Sequence, residues 1–374
     1  MTKSTANATP ALAVDHTTAG LDNVVAAETV LSHVDGMAGR LILRGYDLDR
    51  LADWSFEAVL ALLWRDLLPE ALDESAIRVK LGAARQRAFS LLTPLLPSTD
   101  GLSSVEALRL LLSTLADAEP DAHHILAVAA VPVFAAAIAR RRRGEAAVTP
   151  DARLGLAADF LRMLHGAEVD AGKVRALDTY LVTVADHGLN ASTFTARVIA
   201  STKAGLFSSV IGGLCALKGP LHGGAPGPVI EMLDAIGEPA NARAWLEDAL
   251  GRGERLMGFG HRIYRVRDPR ADALKQAIAK LGADAGRLRH AEAVEQVALA
   301  ILRERKPGRS LETNVEFYTA LLLEALGFPP EAFTCVFAMG RTAGWIAHAR
   351  EQLASGRLIR PQSVYVGPRP DLAA

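Results

Sequence analysis

The chain is poor in cysteine and in net charge, and it has few aromatic residues. Only two cysteines, Cys215 and Cys335, occur in 374 residues. They lie far apart without the spacing of a disulfide framework or a metal site, which fits a reducing cytoplasm. No histidine has a spacing that demands a metal ion. The formal net charge of −1 gives no overall attraction to nucleic acid or to an anionic membrane. Locally placed arginines must therefore bind any anion, which favours small charged ligands.

Long apolar runs are also scarce, and the one exception is short. Residues 125–139 are apolar and precede Arg140 to Arg143, a pattern that superficially resembles a membrane anchor with a basic flank. A membrane span needs roughly 20 apolar residues, and Pro132 interrupts the run. We therefore expect a helix buried in a large helical core. The arginines then form its solvated end, with phosphate binding as the less favoured alternative.

The N-terminal residues 1–20 lack the basic and apolar regions of a signal sequence. They predict a disordered terminus that precedes the folded chain. Nothing in the sequence argues for export, so we expect a cytoplasmic protein.

Helical periodicity covers almost all of the remaining chain. Apolar residues at i, i+3 and i+4 predict helices over 56–64, 107–115, 154–164, 228–236 and 294–302. Only residues 41–43 and 363–366 look extended, and no repeat of fixed period is present. With the usual helix length of about three turns, the sequence predicts an all-α protein of roughly fifteen or more helices.

Glu316 lies at the start of one of these helices. Thr313 or Asn314 can serve as the N-cap, and Gly327 can end the helix. Glu316 therefore falls in the first helical turn. Taken alone, it is best explained as a surface glutamate that complements the helix dipole.

Arg341 is harder to explain as a surface residue. It shares a helical face with Trp345 and His348, and Gly340 and Gly344 allow another backbone to approach closely. An arginine on such a face usually has an anionic partner. That partner is either an internal carboxylate or a substrate carboxylate held by two hydrogen bonds.

Two histidines lie among glycines. His222 precedes a glycine pair and a predicted helix, and His261 follows Gly258 and Gly260. Such glycines let a ligand approach the backbone closely, and a helix start offers free N–H groups to a developing oxyanion. A single histidine in this setting is more often a capping or packing residue. Two of them, together with a carboxylate and several arginines, favour a site that forms an enolate between anionic substrates.

The chain resembles the citrate synthase family from about residue 21 to residue 368. The motifs that carry this resemblance occur in order: V-V-A-A-E-T, L-R-G-Y-D-L, A-D-H-G-L-N-A-S-T-F-T-A-R, L-H-G-G-A, G-F-G-H-R-I-Y-R, D-P-R, N-V-E-F-Y, M-G-R-T-A-G-W-I-A-H and R-P-Q-S-V-Y-V-G. So many ordered matches over nearly the whole chain do not arise by chance.

The resemblance implies an all-α homodimer in which a small domain closes over the substrates and excludes water. The small domain would comprise residues 224–327, inserted between the two parts of a discontinuous large domain, 21–223 and 328–374. Glycine- and proline-rich segments around residues 219–227 and 327–330 agree with these boundaries.

The resemblance also implies the reaction of an acyltransferase of the Si type, in which acetyl-CoA and oxaloacetate give citrate and CoA. Glu316 would remove a methyl proton from acetyl-CoA, His222 would stabilise the enol or enolate, and His261 would polarise the ketone of oxaloacetate. No tightly bound cofactor is expected, because CoA acts as a cosubstrate.

The family pattern further assigns the ligands of both substrates. Oxaloacetate would be bound by four residues: His187, Arg270, Arg341 and, from the partner subunit of the dimer, Arg360. CoA would contact the segment Leu256, Met257 and Gly258, and Arg265 would bind its phosphate. Arg305, Lys306 and Arg309 either add phosphate contacts or form a solvated basic loop.

Two residues depart from the family pattern. Glu316 stands where the family usually has aspartate, and the longer side chain moves the carboxylate by about 1 Å, a displacement that can cost roughly a hundredfold in rate. We interpret it as the normal base of a subgroup. Gly188 replaces a residue that is acidic in many relatives, which makes the hydrogen bonding of His187 less certain.

Three further expectations concern the kind of family member. The alternative activity is 2-methylcitrate synthesis from propionyl-CoA. Propionyl-CoA and acetyl-CoA differ by one methylene, which contributes only about 1–3 kcal/mol of discrimination between them. A more remote alternative is a binding or regulatory protein that has lost catalysis. The sequence shows no extra N-terminal regulatory domain, and we therefore expect no control by NADH.

Overall fold

A computed structural model describes residues 20–21, 24–117, 123–223, 226–282 and 285–365. Within these residues fifteen α-helices account for most of the chain, so the predicted all-α class is confirmed. They are α1 (Leu48–Leu51), α2 (Phe56–Trp64), α3 (Glu74–Leu92), α4 (Ser104–Leu112), α5 (His123–Arg142), α6 (Leu156–His165), α7 (Ala171–Val184), α8 (Ala191–Ser201), α9 (Leu206–Leu217), α10 (Pro226–Ile236), α11 (Ala242–Gly251), α12 (Pro269–Leu281), α13 (Ala285–Arg305), α14 (Val315–Ala325) and α15 (Phe333–Ser355).

Polar side chains fix where many of these helices begin. At α4, Ser103 accepts a hydrogen bond from the backbone of Glu106, whose carboxylate accepts one from the backbone of Ser103. This reciprocal pair satisfies two N–H groups that the first helical turn leaves without partners. The side chains of Asn190 and Asn314 cap α8 and α14 in the same position. Both of the latter helices contribute residues to the candidate site.

The apolar helix α5 forms part of the core. It packs against α3, α4, α6 and α15, and although it is long and apolar enough to cross a membrane, 89% of its most apolar stretch is buried within the protein. The expectation of a buried helix is confirmed. The helix continues through Pro132, because packing on several sides outweighs the loss of one backbone hydrogen bond.

The arginines at the end of α5 bind groups of the chain itself. Arg141 forms an ion pair with Asp100 at 2.6 Å, and Arg140 and Arg143 both donate to the carbonyl of Leu164 at the end of α6. Cations at these positions also complement the negative end of each helix dipole. These arginines therefore connect the C-terminal ends of α5 and α6.

A small antiparallel sheet precedes the helices. Its strands are β1 (Ser32–Asp35), β2 (Arg40–Leu43) and β3 (Tyr46–Asp47), with β2 in the centre. Only β2 was predicted, while residues 363–365 form no strand and residue 366 lies outside the described residues. The turn between β1 and β2 contacts the loop after His261, where the backbone N–H of Arg265 donates to the carbonyl of Gly36 at 2.8 Å.

Candidate active site

Backbone pairing brings His261 next to the start of α14. The N–H of Gly260 donates to the carbonyl of Glu312 at 2.7 Å, and the N–H of Asn314 donates to the carbonyl of Gly258 at 3.0 Å. The side-chain amide of Asn314 also donates to the carbonyl of Gly260 at 2.8 Å. Gly258 has a φ of +87°, and a Cβ there would lie 2.9 Å from the ring of Phe317. Only glycine therefore fits this crossing.

Asp268 fixes Arg270 relative to the same helix start. Its carboxylate accepts two hydrogen bonds from the Arg270 guanidinium, at 3.0 and 2.7 Å, and a third from the N–H of Val315 at 3.2 Å. Both side chains are buried. Burial alone would lower the pKa of Arg270, but the attraction of Asp268 raises it above its usual value. The guanidinium is thus a permanent, oriented cation at the start of α14.

His187, His261 and Tyr264 form one ring cluster. The centroids of the two imidazoles lie 5.4 Å apart, and Nε2 of His187 lies 3.2 Å from the hydroxyl of Tyr264. Burial lowers the pKa of His187 well below its usual value and that of His261 to about 4, and nearby Arg270 lowers both further. Both imidazoles are therefore neutral at pH 7.

The tautomer of His261 is fixed by the backbone. The N–H groups of Ile263 and Tyr264 point at Nδ1 from 3.1 and 3.2 Å. A ring nitrogen that faces two donors must act as an acceptor. The single proton of the neutral ring is consequently on Nε2, which is a hydrogen-bond donor.

His222 is supported by side chains instead. Its Nε2 lies 2.8 Å from the hydroxyl oxygen of Ser192, which also accepts a hydrogen bond from the indole N–H of Trp345 at 3.1 Å. Its ring meets that of Phe337 edge-on at 6.4 Å. Burial lowers the pKa of His222 to about 4, with Arg341 as a second cause. This ring is also neutral at pH 7.

Arg341 is buried on α15, between α7 and Phe337. Its Nε donates to the carbonyl of Val184 at 2.6 Å, and its guanidinium lies 4.9 Å from the centroid of the Phe337 ring. Burial lowers its pKa to about 10, and attraction to Asp186 opposes that decrease. Asp186 itself is engaged elsewhere, with His348 at 3.2 Å and with Ser32. The position therefore suits an anionic ligand, in addition to Asp186, between Arg341 and Arg270.

Glu316 is a carboxyl group with a strongly altered affinity for protons. It follows the N-cap Asn314, whose side chain accepts from the N–H of Glu316 at 3.0 Å. Burial raises its pKa to about 7, although Arg270 acts in the opposite direction. At neutral pH such a group can both take up and release a proton, as an acid–base catalyst must.

The structure does not bring Arg360 to this cluster within one chain. Arg360 is exposed beyond α15, and the preceding residue, Ile359, donates its N–H to Ser201 at 3.1 Å. Ser201 ends α8, whereas Ser192 is near the beginning of that helix. The rise of 1.5 Å per residue separates the two serines by about 13 Å.

The predicted CoA ligands lie in the two segments of the chain that flank His261. Leu256 is buried, Met257 is half-buried and Gly258 faces Phe317, as described above. The side chain of Arg265 is exposed, and so are the basic residues Arg305, Lys306 and Arg309.

Sequence reasoning missed several supporting residues. Asp268, Tyr264 and Ser192 lie inside the motifs D-P-R, G-F-G-H-R-I-Y-R and A-S-T-F-T-A-R, so a signal was present but no role was assigned. Ser32 had no signal at all. It joins Asp186 and the N–H of Gly188, at 3.0 Å in the latter case, across more than 150 residues of sequence.

The chain is similar to known proteins over nearly its whole length. A family model described as citrate synthase, C-terminal domain, matches residues 20–362. A citrate synthase of Haloferax volcanii is 40% identical, with 94% of this chain and 96% of the relative covered. A 2-methylcitrate synthase of Mycobacterium tuberculosis is 36% identical, with 93% of this chain and 90% of the relative covered.

A solved structure shares the fold. The citrate synthase of Thermoplasma acidophilum, in a ternary complex with carboxymethyl coenzyme A and oxaloacetate, superposes with a TM-score of 0.85 at 26% identity. The match covers 96% of this chain and 98% of that chain.

Proposed function

This chain belongs to the citrate synthase family, and we propose that it condenses acetyl-CoA with oxaloacetate and water to give citrate and CoA. One observation carries the proposal more than any other. A neutral imidazole protonated on Nε2, at His261, lies beside the buried cation Arg270 and next to the helix start that bears Glu316, whose pKa is about 7.

Enolate formation is the first step of the proposed reaction. Glu316 accepts a proton from the methyl group of acetyl-CoA, and the electron pair moves onto the thioester oxygen. His222 then stabilises that oxygen by donating a hydrogen bond. The Ser192 hydroxyl has one proton and two possible acceptors, both at 2.8 Å: Oδ1 of Asn190 and Nε2 of His222. When that proton is directed to His222, the ring proton is on Nδ1 and can serve as the donor to the thioester oxygen, while Trp345 donates to Ser192.

Carbon–carbon bond formation is the second step. The Nε2–H group of His261 donates to the ketone oxygen of oxaloacetate, so negative charge that develops there is stabilised when the enolate carbon attacks. The resulting alkoxide takes up a proton to become the hydroxyl of citryl-CoA, and Glu316 releases to solvent the proton it removed, which restores the base. Water then cleaves the carbon–sulfur bond of the resulting citryl-CoA. The products are a new carboxylate and the free thiol of CoA.

Substrate carboxylates are the proposed partners of the arginines. Arg270 and Arg341 are buried, and oxaloacetate is a dianion, so each guanidinium can bind one carboxylate in a fixed orientation. Neutral His187 then contributes a hydrogen bond without adding charge. Arg360 is proposed to come from the partner subunit of a homodimer, which agrees with its position at the far end of α8.

The remaining parts of the proposal concern architecture. Residues 224–327, which contain α10 to α14, are proposed as the small domain that closes on the large domain formed by 21–223 and 328–374. The segment Leu256 to Gly258 and Arg265 are proposed to bind CoA. A cytoplasmic location and the absence of a tightly bound cofactor belong to the same proposal.

2-Methylcitrate synthesis is a second candidate, because one relative with that name is 36% identical over nearly the whole chain. The discriminating experiment measures oxaloacetate-dependent release of CoA thiol from acetyl-CoA and from propionyl-CoA. We expect preference for acetyl-CoA in the wild type and loss of release in Glu316→Ala. Preference for propionyl-CoA would assign the second activity, and no release with either thioester would leave a fold without catalysis.

A further inference from the structure

A buried carboxylate outside the proposed reaction centre binds three side chains near Glu316. Glu295, on α13, is 4% exposed. It accepts hydrogen bonds at 2.6 Å from the guanidinium of Arg267, the hydroxyl of Thr313 and the hydroxyl of Tyr318. These four residues are here called the Glu295 cluster. Burial alone would raise the pKa of Glu295, but its three donors bring it below the usual value, so the group stays ionised.

Two of the three donors flank Glu316 in the sequence. Thr313 precedes the N-cap Asn314, and Tyr318 lies two residues after Glu316 on α14. The first turn of a helix lacks its full set of backbone hydrogen bonds and is the part most prone to fray. Glu295 therefore connects both sides of that turn to α13.

The third donor extends the connection to the substrate-binding arginine. Arg267 directly precedes Asp268, whose carboxylate binds both Arg270 and the N–H of Val315. Asp268 and Glu295 thus hold the start of α14 from two directions. Through them Glu316 and Arg270 are parts of one hydrogen-bonded unit.

We propose that Glu295 is a positioning residue that sets the location of the base Glu316 relative to Arg270, and thereby relative to the two substrates. The inference rests on the proposed function. Its physical reason is distance: a misplacement of about 1 Å at a reacting group can cost roughly a hundredfold in rate. The side chain of Glu316 has one more rotatable bond than that of an aspartate, so the backbone of Glu316 must be held more firmly.

Variants of the cluster separate positioning from folding. Tyr318→Phe removes one hydroxyl and keeps the ring, Glu295→Ala removes all three acceptor contacts, and Glu295→Gln is the conservative replacement. In Glu295→Gln the hydroxyl of Tyr318 can turn and accept from the new amide, so most of the cluster persists. The matched control is Glu324→Gln, which weakens the ion pair between Glu324 and Arg287. That pair joins the same two helices at a point about 9 Å beyond Tyr318 along α14.

The expected result is a loss confined to turnover. Tyr318→Phe and Glu295→Ala should lower kcat by about tenfold, with the KM for oxaloacetate unchanged, while Glu295→Gln restores most of kcat and Glu324→Gln keeps the wild-type value. Amide hydrogen exchange at Glu316 and Phe317 should accelerate in the first two variants only. Wild-type kcat in Tyr318→Phe, or a rise in KM with kcat retained, would overturn the inference even if Glu295→Ala does not fold.

The exchange measurement keeps this inference distinct from the proposed function. If the wild type releases no CoA from either thioester, the proposed function fails and positioning of a base fails with it. If the wild type is active and the cluster variants keep both kcat and slow exchange, only the inference fails.

Discussion

The surroundings of His261 and His222 differ in what holds each ring, although burial lowers both pKa values to about 4. Two backbone N–H groups face Nδ1 of His261, whereas one side-chain hydroxyl, that of Ser192, faces Nε2 of His222. A backbone donor fixes the tautomer whatever side chains surround it. A hydroxyl can donate or accept, so it leaves the tautomer dependent on the rest of its hydrogen bonds.

This difference matches the two proposed tasks. His261 needs one permanent donor toward a ketone oxygen, which the fixed Nε2–H supplies. His222 faces a thioester oxygen whose charge changes during the reaction, and its partner Ser192 also contacts Asn190 at 2.8 Å and Trp345. The hydrogen bonds around His222 can therefore rearrange, while those around His261 cannot.

The largest expected effect comes from removing either ring. His261→Ala and His222→Ala should each lower kcat by about a thousandfold, because loss of one donor to a developing oxyanion has that magnitude. Steady-state release of CoA thiol measures the loss. A decrease of less than about tenfold in either variant would contradict the role assigned to that ring.

A smaller effect is expected from Ser192→Ala, which leaves His222 in place but removes the hydroxyl that contacts its Nε2. We expect kcat to fall by about tenfold to a hundredfold, because the ring loses its preferred tautomer and Trp345 loses its acceptor. Thr195→Ala on the same helix is the control, since that hydroxyl donates to the carbonyl of Ala191, one turn earlier on α8, at 2.8 Å. Equal activity of Ser192→Ala and the control would contradict the claim that His222 depends on a side-chain hydroxyl as His261 depends on the backbone.

The smallest expected effect is on pH dependence, and it distinguishes Glu316 from both rings. A base must be deprotonated, and burial raises the pKa of Glu316 to about 7, so activity should rise with pH through that value. Between pH 6 and pH 7 the ionised fraction, and with it kcat/KM, increases about fivefold. A profile that is flat down to about pH 5 would instead indicate that no group with a raised pKa limits the reaction.

The sequence was sufficient to predict most helices and the position of Glu316. Helix α14 begins one residue after Asn314, one of the two predicted N-caps, and α2 has the predicted bounds. Local sequence preference was a poor guide where tertiary packing outweighs it. Pro132 lies within a continuous helix because α5 is enclosed by other helices, and β1 is defined by pairing with β2 more than by its own short sequence.

The candidate site was predictable as a set of residues but not as a set of hydrogen bonds. Motif resemblance named His222, His261 and Arg270, yet the donors to Nδ1 of His261 depend on how the following loop turns. Glu295 carries no motif, and its partners Arg267 and Thr313 come from different segments. Which rings are neutral also follows from burial, which sequence patterns do not give.

The most direct test of the central claim is exchange of the acetyl-CoA methyl protons with D2O, followed by NMR, with malate in place of oxaloacetate. Malate keeps both carboxylates but has no ketone, so an enolate can form without condensing. We predict exchange in the wild type and in His261→Ala, and none above background in Glu316→Ala. Undiminished exchange in Glu316→Ala, or no exchange in a wild type that releases CoA with oxaloacetate, would contradict the assignment of Glu316 as the base.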